Sequence, residues 1–185
     1  MMKAIALHGS PRRNGNSDTL VSNFLQGLRA SGHSEIQEFY ANELSIKPCQ
    51  GCLTCNKPPY KCAIEDDMQE IYSAFIDADV VVFATPMYWG YMTAQLKTVL
   101  DRMEAIASQR LFRDKTFVAI LTYHHHYESV VAFFERIREY FRFRLYTITY
   151  CSLGKDGQND VHVSNCREKL EEAYVLGKSL GEAAT

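Results

Sequence analysis

Four of the six cysteines in this 185-residue chain fall within fourteen positions: Cys49-Gln50-Gly51-Cys52-Leu53-Thr54-Cys55, then Cys62 after six more residues. Thiols spaced two residues apart can turn to one side of the chain and meet on one metal core, which is how iron–sulfur clusters are gripped. The run differs from the bacterial ferredoxin pattern, because six residues precede the last cysteine and no proline follows it. Four thiolates would satisfy a structural zinc equally well, although zinc sites usually pair two C-x2-C steps across a longer loop. Metal-free redox thiols are the third reading. The spacing leaves all three open. Cys151 and Cys166 stand outside the motif and read as small, half-buried hydrophobes.

A second reactive stretch runs from Gly9 to Ser17. It offers hydroxyls at Ser10 and Ser17, amides at Asn14 and Asn16, guanidinium groups at Arg12 and Arg13, and a helix immediately after. Backbone N–H groups at a helix start carry roughly half a positive charge, so a phosphate monoester can sit there without a buried lysine. The stretch matches neither G-x-x-x-x-G-K-[ST] nor G-x-G-x-x-G, which disfavours a nucleoside triphosphate or a Rossmann-bound dinucleotide. An ordinary polar turn would use many of the same residues. The third stretch is Thr85-Pro86-Met87-Tyr88-Trp89-Gly90-Tyr91. Its aromatic faces, with a stiffening proline and a permissive glycine, suit a planar ring. Core packing or a subunit contact would use the aromatics equally well.

Such residues act together only if the fold gathers them. Lys3–His8 reads as a first strand, and Val21, Phe24, Leu25 and Leu28 mark one face of the helix after it. Glu35–Tyr40 is a second strand, followed by the cysteine segment. Asp66 or Asp67 caps the next helix, with Glu70 placed for a capping box and Met68, Ile71, Tyr72 and Phe75 as its buried stripe. Asp79–Ala84 is almost wholly apolar, as a parallel strand covered on both faces is. The aromatic loop leads into a helix striped by Leu96, Val99, Leu100 and Met103. Thr116–Leu121 is a fourth strand, and the histidines His124–His126 follow it. Next come a helix bearing Val130, Phe133, Phe134 and Ile137, a fifth strand at Arg144–Tyr150, and a last helix at Asn165–Leu180. This alternation predicts a doubly wound α/β fold with a parallel sheet. Loops leaving the carboxyl ends of its strands share one rim, where ligands bind.

Bulk properties narrow the function classes. A formal charge of −2 gives no electrostatic case for nucleic acid or an anionic membrane. No apolar run approaches the length of a membrane span, and Met1–Leu7 is too short for a signal peptide's apolar region. A cytoplasmic location is therefore expected. There, clustered cysteines serve metals or redox chemistry more often than structural disulfides.

Taken together, Gly9–Ser17, Cys49–Cys62, Asp66-Asp67-Met68 and Thr85–Gly90 with Gln95-Leu96-Lys97 and Leu100-Asp101-Arg102 resemble the iron-sulfur flavoprotein branch of the NADPH-dependent FMN reductases, in the flavodoxin-like superfamily. The likeness is close over about the first hundred residues and weak in the final third. It implies one flavodoxin-like FMN-binding domain over residues 1–185, with a cysteine-rich loop at 47–64 after strand 2. It also implies a five-stranded parallel sheet in the order 2-1-3-4-5. The FMN phosphate would be held by Ser10, Arg12, Asn14, Asn16 and Ser17. Pro86, Met87, Tyr88, Trp89 and Gly90 would hold its ring, with Tyr123 and His124 alongside. A [4Fe-4S] cluster would sit on Cys49, Cys52, Cys55 and Cys62, and the chain would form a homodimer or homotetramer with FMN near the interface. Relatives often carry glycines where this chain has Tyr123-His124-His125-His126-Tyr127.

The expected function is electron transfer between a reduced donor, NAD(P)H or ferredoxin, and an acceptor, through FMN and the cluster. No side chain is nominated as catalytic, because the flavin carries the chemistry. Consecutive histidines point apart and seldom share a metal. A histidine beside the flavin's polar end would instead stabilise negative charge on the reduced ring. His8 reads as a satisfied rim residue. Two alternatives remain: a cluster-free NAD(P)H-dependent FMN or quinone reductase, and a non-enzymatic cysteine-based redox or zinc sensor on the same scaffold.

Overall fold

The strand sequences carry apolar side chains for two faces. In the computed structural model, which describes residues 1–32 and 34–183, both faces are covered. Strands β1 (Met2–His8), β2 (Ser34–Tyr40), β3 (Val80–Tyr88), β5 (Thr116–Tyr123) and β6 (Arg144–Cys151) form a parallel sheet in the order β2-β1-β3-β5-β6. Helices α1 (Asn16–Ala30) and α6 (Arg167–Glu182) cover one face. The other carries α2 (Met68–Asp77), α3 (Ala94–Arg102), the short α4 (Glu104–Ala107) and α5 (Glu128–Phe141).

Strand periodicity assigns the layers. Ala4, Ala6, Val80, Val82, Val118 and Ile120 face the α1/α6 side, while Ile5, Leu7, Val81, Phe83, Phe117 and Leu121 face the other. Successive residues point to opposite faces, so a strand buried twice must be apolar throughout. On the α1/α6 side the strand residues are small, and the helices themselves come close. A Cβ on Gly27 would lie 2.0 Å from the Tyr174 carbonyl oxygen, and one on Gly177 would lie 2.0 Å from that of Phe24.

The expected five-strand sheet needs one correction. Among the described residues there are six strands, because β3 runs on through Tyr88 and folds back as the two-residue antiparallel β4 (Tyr91–Met92). Trp89 and Gly90 take left-handed conformations, φ 51° and 71°, and this pair is what a tight two-residue hairpin turn requires. The stretch expected to be a loop is thus a rigid hairpin. Among the described residues no helix is long and apolar enough to cross a membrane.

Candidate functional site

Parallel order places β1 and β3 side by side while their neighbours run outward in opposite directions, so the chain reverses at that seam. Ligands of doubly wound sheets bind at such a switch point, beyond the carboxyl ends of the strands. The Gly9–Ser17 loop leaves β1 there. Gly9 donates its N–H to the Ala84 carbonyl at 2.7 Å, and the Thr93 hydroxyl donates to the Gly9 carbonyl, also at 2.7 Å. Thr93 caps α3 by accepting from the Leu96 N–H, while its own N–H donates to the Thr85 hydroxyl. Thr85 and Thr93 are fully buried. A Cβ on Gly9 would meet Leu96 Cβ at 2.7 Å, so the loop starts at a position only glycine fits without displacement.

The loop then turns into α1 through Asn14, at φ 57°. Gly15 precedes the helix and no side chain caps its first turn, which leaves N–H groups there for an incoming anion. Ser10 and Ser17 are buried; the Ser10 hydroxyl accepts from the Arg12 N–H at 3.1 Å. Beneath the loop, Asp18 accepts the Asn14 N–H at 2.6 Å and the Tyr40 hydroxyl at 3.2 Å. His8 Nδ1 lies 2.9 Å from Asp18 Oδ1 without a hydrogen bond between them. Its Nε2 lies 3.2 Å from Glu38, and its ring stacks on Tyr40. Burial works to raise the Asp18 pKa, but His8, the Asn14 N–H and Tyr40 outweigh it and hold the carboxyl below its ordinary value.

The hairpin leaves β3, with the ends of β1 and β5 on either side. Trp89 at its tip is 104% exposed and Tyr88 is partly exposed. The Ser129 hydroxyl donates to the Gly90 carbonyl at 2.8 Å, tying the tip to α5. At the end of β5, Tyr123 packs on Tyr127, and burial raises its pKa. His124 Nε2 lies 3.2 Å from Asp160, His126 reaches toward Glu128, and the three imidazoles diverge.

Residues 41–67 carry the cysteines and only one short 3-10 turn, Thr54–Asn56. All four cysteines line one cavity of about 20 Å³, with Arg102 and Glu104 also in its wall. Among the described residues no three His, Cys, Asp or Glu side chains already stand at metal-binding distance. The Thr54 hydroxyl, donating at 3.3 Å, lowers the Cys52 thiol's pKa, while burial raises that of Cys55. A hollow of about 550 Å³ lined by Arg110, Arg113, Tyr140 and Arg142 lies near the starts of β5 and β6, at the opposite end of the strands from the rim.

Residues 2–133 match the family model described as NADPH-dependent FMN reductase. The chain belongs to this family. It is 34% identical over 122 residues to an iron-sulfur flavoprotein of Archaeoglobus fulgidus, covering 66% of this chain and 54% of that one. It is 36% identical over 101 residues to an iron-sulfur flavoprotein of Methanosarcina thermophila, covering 55% and 52%. The chain thus spans little more than half the length of these relatives. Among solved structures, RosB with a bound riboflavin-phosphate intermediate superposes with a TM-score of 0.77 at 12% identity, covering 100% of this chain and 80% of that one. An azoreductase from Bacillus anthracis superposes at 0.69 with 14% identity, covering 99% and 100%. These two likenesses carry the fold alone.

The rim of this FMN reductase family member suits the ester and ring of FMN in kind. A helix start without a side-chain cap and two buried serines lie at the switch point, and an exposed indole stands at the tip of the neighbouring hairpin. The Asn16 amide spans to Val161 and Val163, accepting the Val163 N–H at 2.7 Å, and Arg12 is exposed. Sequence reasoning missed this 161–163 segment, whose His162 Nε2 lies 3.0 Å from the Asn14 carbonyl. It missed the Thr85–Thr93 brace and Asp18 as well. A short polar stretch without periodicity gives no signal, but Asp18 in the first turn of a helix was a readable one.

Proposed function

We propose that this chain binds FMN at the rim beside Gly9–Ser17 and works as an FMN-dependent oxidoreductase, with NAD(P)H or reduced ferredoxin as donor. FMN, when bound, supplies hydride and single-electron chemistry. The protein's part is to bind and orient. The first turn of α1 and the Ser10 and Ser17 hydroxyls would receive the phosphate, and the hairpin from Pro86 to Gly90 would set the ring, with Tyr123 and His124 at its edge. One observation carries the reading: a glycine-started loop, braced by Thr93, opens an uncapped helix at the switch point. Calorimetric titration of FMN into flavin-free protein is expected to show one site per chain. No heat, with the rim still empty in FMN-soaked crystals, would overturn it.

A [4Fe-4S] cluster on Cys49, Cys52, Cys55 and Cys62 is part of the proposal, giving the flavin a one-electron neighbour. Two observations support it: the four cysteines line one cavity, and they sit on loop backbone rather than within a regular helix or strand. A cluster-free NAD(P)H-dependent FMN or quinone reductase is the second reading, favoured by thiols not yet at ligand distance. Anaerobic purification followed by iron analysis separates them, with about four irons per chain expected for the first. A homodimer or homotetramer with the hairpin at its interface is likewise proposed, on the strength of Trp89.

Trp89 pays for its position in backbone strain, because a bulky residue at positive φ is disfavoured. Trp89→Asn places a residue that favours this turn, so Tm is expected to hold or rise slightly. FMN affinity is expected to fall severalfold through loss of the stacking face. Unchanged affinity by flavin fluorescence titration would remove the indole from the ring site.

A further inference from the structure

Arg102 ends α3, and its side chain is fully buried against a 5%-exposed Asp66. Taking a guanidinium from water costs several kcal/mol unless hydrogen bonds replace those lost, and an apolar residue of similar volume is often at least as stable. The partners of this side chain therefore indicate what the burial achieves. Nη1 donates to the Asp66 carboxylate at 2.7 Å and to the Lys47 carbonyl at 2.7 Å. Nη2 donates to the other Asp66 oxygen at 3.2 Å and to the Ile64 carbonyl at 3.1 Å. Asp66 also accepts the Lys47 N–H at 2.9 Å. Lys47 and Ile64 are the two ends of the cysteine loop, each two residues from its outermost cysteine, Cys49 or Cys62.

One donor is left over. Arg102 Nε is buried with no hydrogen-bond partner among the described residues. Buried donors without partners are rare in native proteins and costly to leave unmade. Arg102 lines the same cavity as the four cysteines. We infer that Arg102 is the clasp of the cysteine loop: its two η-nitrogens fix both ends, and its Nε–H is the donor held for a sulfur of the centre that forms there. The second half rests on the thiol-bound centre proposed above; the first does not. Arginine is required because a planar fork can reach two carbonyls and a carboxylate at once, whereas lysine's ammonium is a compact point charge.

The test uses the full chain loaded with FMN. Arg102→Lys keeps the charge and removes the fork, and Asp66→Asn weakens the clasp from the other side. Trypsin cleavage after Lys61 is expected to speed at least tenfold in Arg102→Lys and less in Asp66→Asn, under conditions where both still bind FMN. Equal cleavage rates in both variants and the parent would overturn the clasp. In the iron- and sulfide-reconstituted protein, Arg102→Lys is expected to shift the one-electron equilibrium of the centre about tenfold toward the oxidised form, 59 mV. A merely structural arginine would leave that equilibrium unmoved. If the variants fail to fold, the parent decides. Its Arg102 Nε–H resonance is expected to shift on adding cadmium, a diamagnetic thiol-binding probe, and an unmoved resonance would overturn the sulfur contact. Iron uptake failing while cadmium shifts that resonance would sink the iron–sulfur reading and leave the clasp standing.

Discussion

Gly177→Ala is expected to destabilise the protein by about 3 kcal/mol or more, at the upper end of overpacking costs, lowering Tm by about 6–12 °C for a chain of this size. Helix propensity alone predicts the opposite sign, since alanine is better than glycine in a helix by about 0.8–1 kcal/mol. Geometry decides against propensity. The added Cβ would stand 2.0 Å from the Phe24 carbonyl oxygen and 3.0 Å from the Leu28 N–H nitrogen. Those are backbone atoms of α1, so no rotamer can yield and the helix itself must move. Gly27→Ala meets the Tyr174 carbonyl at the same 2.0 Å and should act alike. FMN affinity should fall with stability, because α1 opens at the phosphate loop. A thermal melt at or above the parent's Tm would refute the close approach of the two helices.

That contact also marks where the sequence could be read and where it could not. Val80-Val81-Val82-Phe83 is visibly a strand covered twice, Thr116–Leu121 reads as a strand, and the parallel sheet followed from alternation with helices, while the strand order was implied by the family resemblance. Gly27 and Gly177 are 150 positions apart, and nothing local says that they face each other. The hairpin was hidden for a related reason. Trp89-Gly90 is not among the Asn-Gly or Asp-Gly pairs that announce a two-residue turn, so local preference pointed to a loop while strand pairing won.

The site divides in the same way. Gly9–Ser17 could be read as a candidate anion-binding turn because the residue types suffice for one, backbone N–H groups being the donors such a turn offers. What holds the turn is long-range: Thr93 from α3, Asp18 with His8 and Tyr40, and the 161–163 segment from beyond β6. The capping box expected at Asp67 and Glu70 shows the limit sharply. Asp66 instead accepts the Met68 N–H, and Asp67 turns away to the Ser45 N–H, because the cysteine loop had to be tied down at both ends. Spacing named the cysteines. It could not name Arg102, whose role exists only once Lys47, Ile64 and Asp66 are brought to it.

Asp18→Ala is expected to cost about 1–3 kcal/mol, as leaving the Asn14 N–H and the Tyr40 hydroxyl without their acceptor does. It should also weaken FMN binding about tenfold to a hundredfold. The two effects have one origin. Asp18 is the acceptor for the Asn14 N–H, and Asn14 sits at φ 57°, so the loop's left-handed turn is held by that bond. Without it the turn can relax and the phosphate N–H groups lose their alignment. Asp18→Asn keeps an acceptor and loses the charge, so it should retain more affinity than alanine while giving up the contact with His8. The pH dependence follows from sign. The folded-state carboxyl titrates below its unfolded value, near 3.9, so its contribution is present above that pH and is lost as pH falls through the lower folded value. Asp66, lowered by Arg102 and the Lys47 and Met68 N–H groups against the effect of burial, adds a second loss in the same window. Urea unfolding between pH 3 and 7 should therefore show the parent's stability falling at the acid end, with a shallower fall in Asp18→Asn. An identical acid slope in both would mean that this carboxylate is not the charge on which the loop rests.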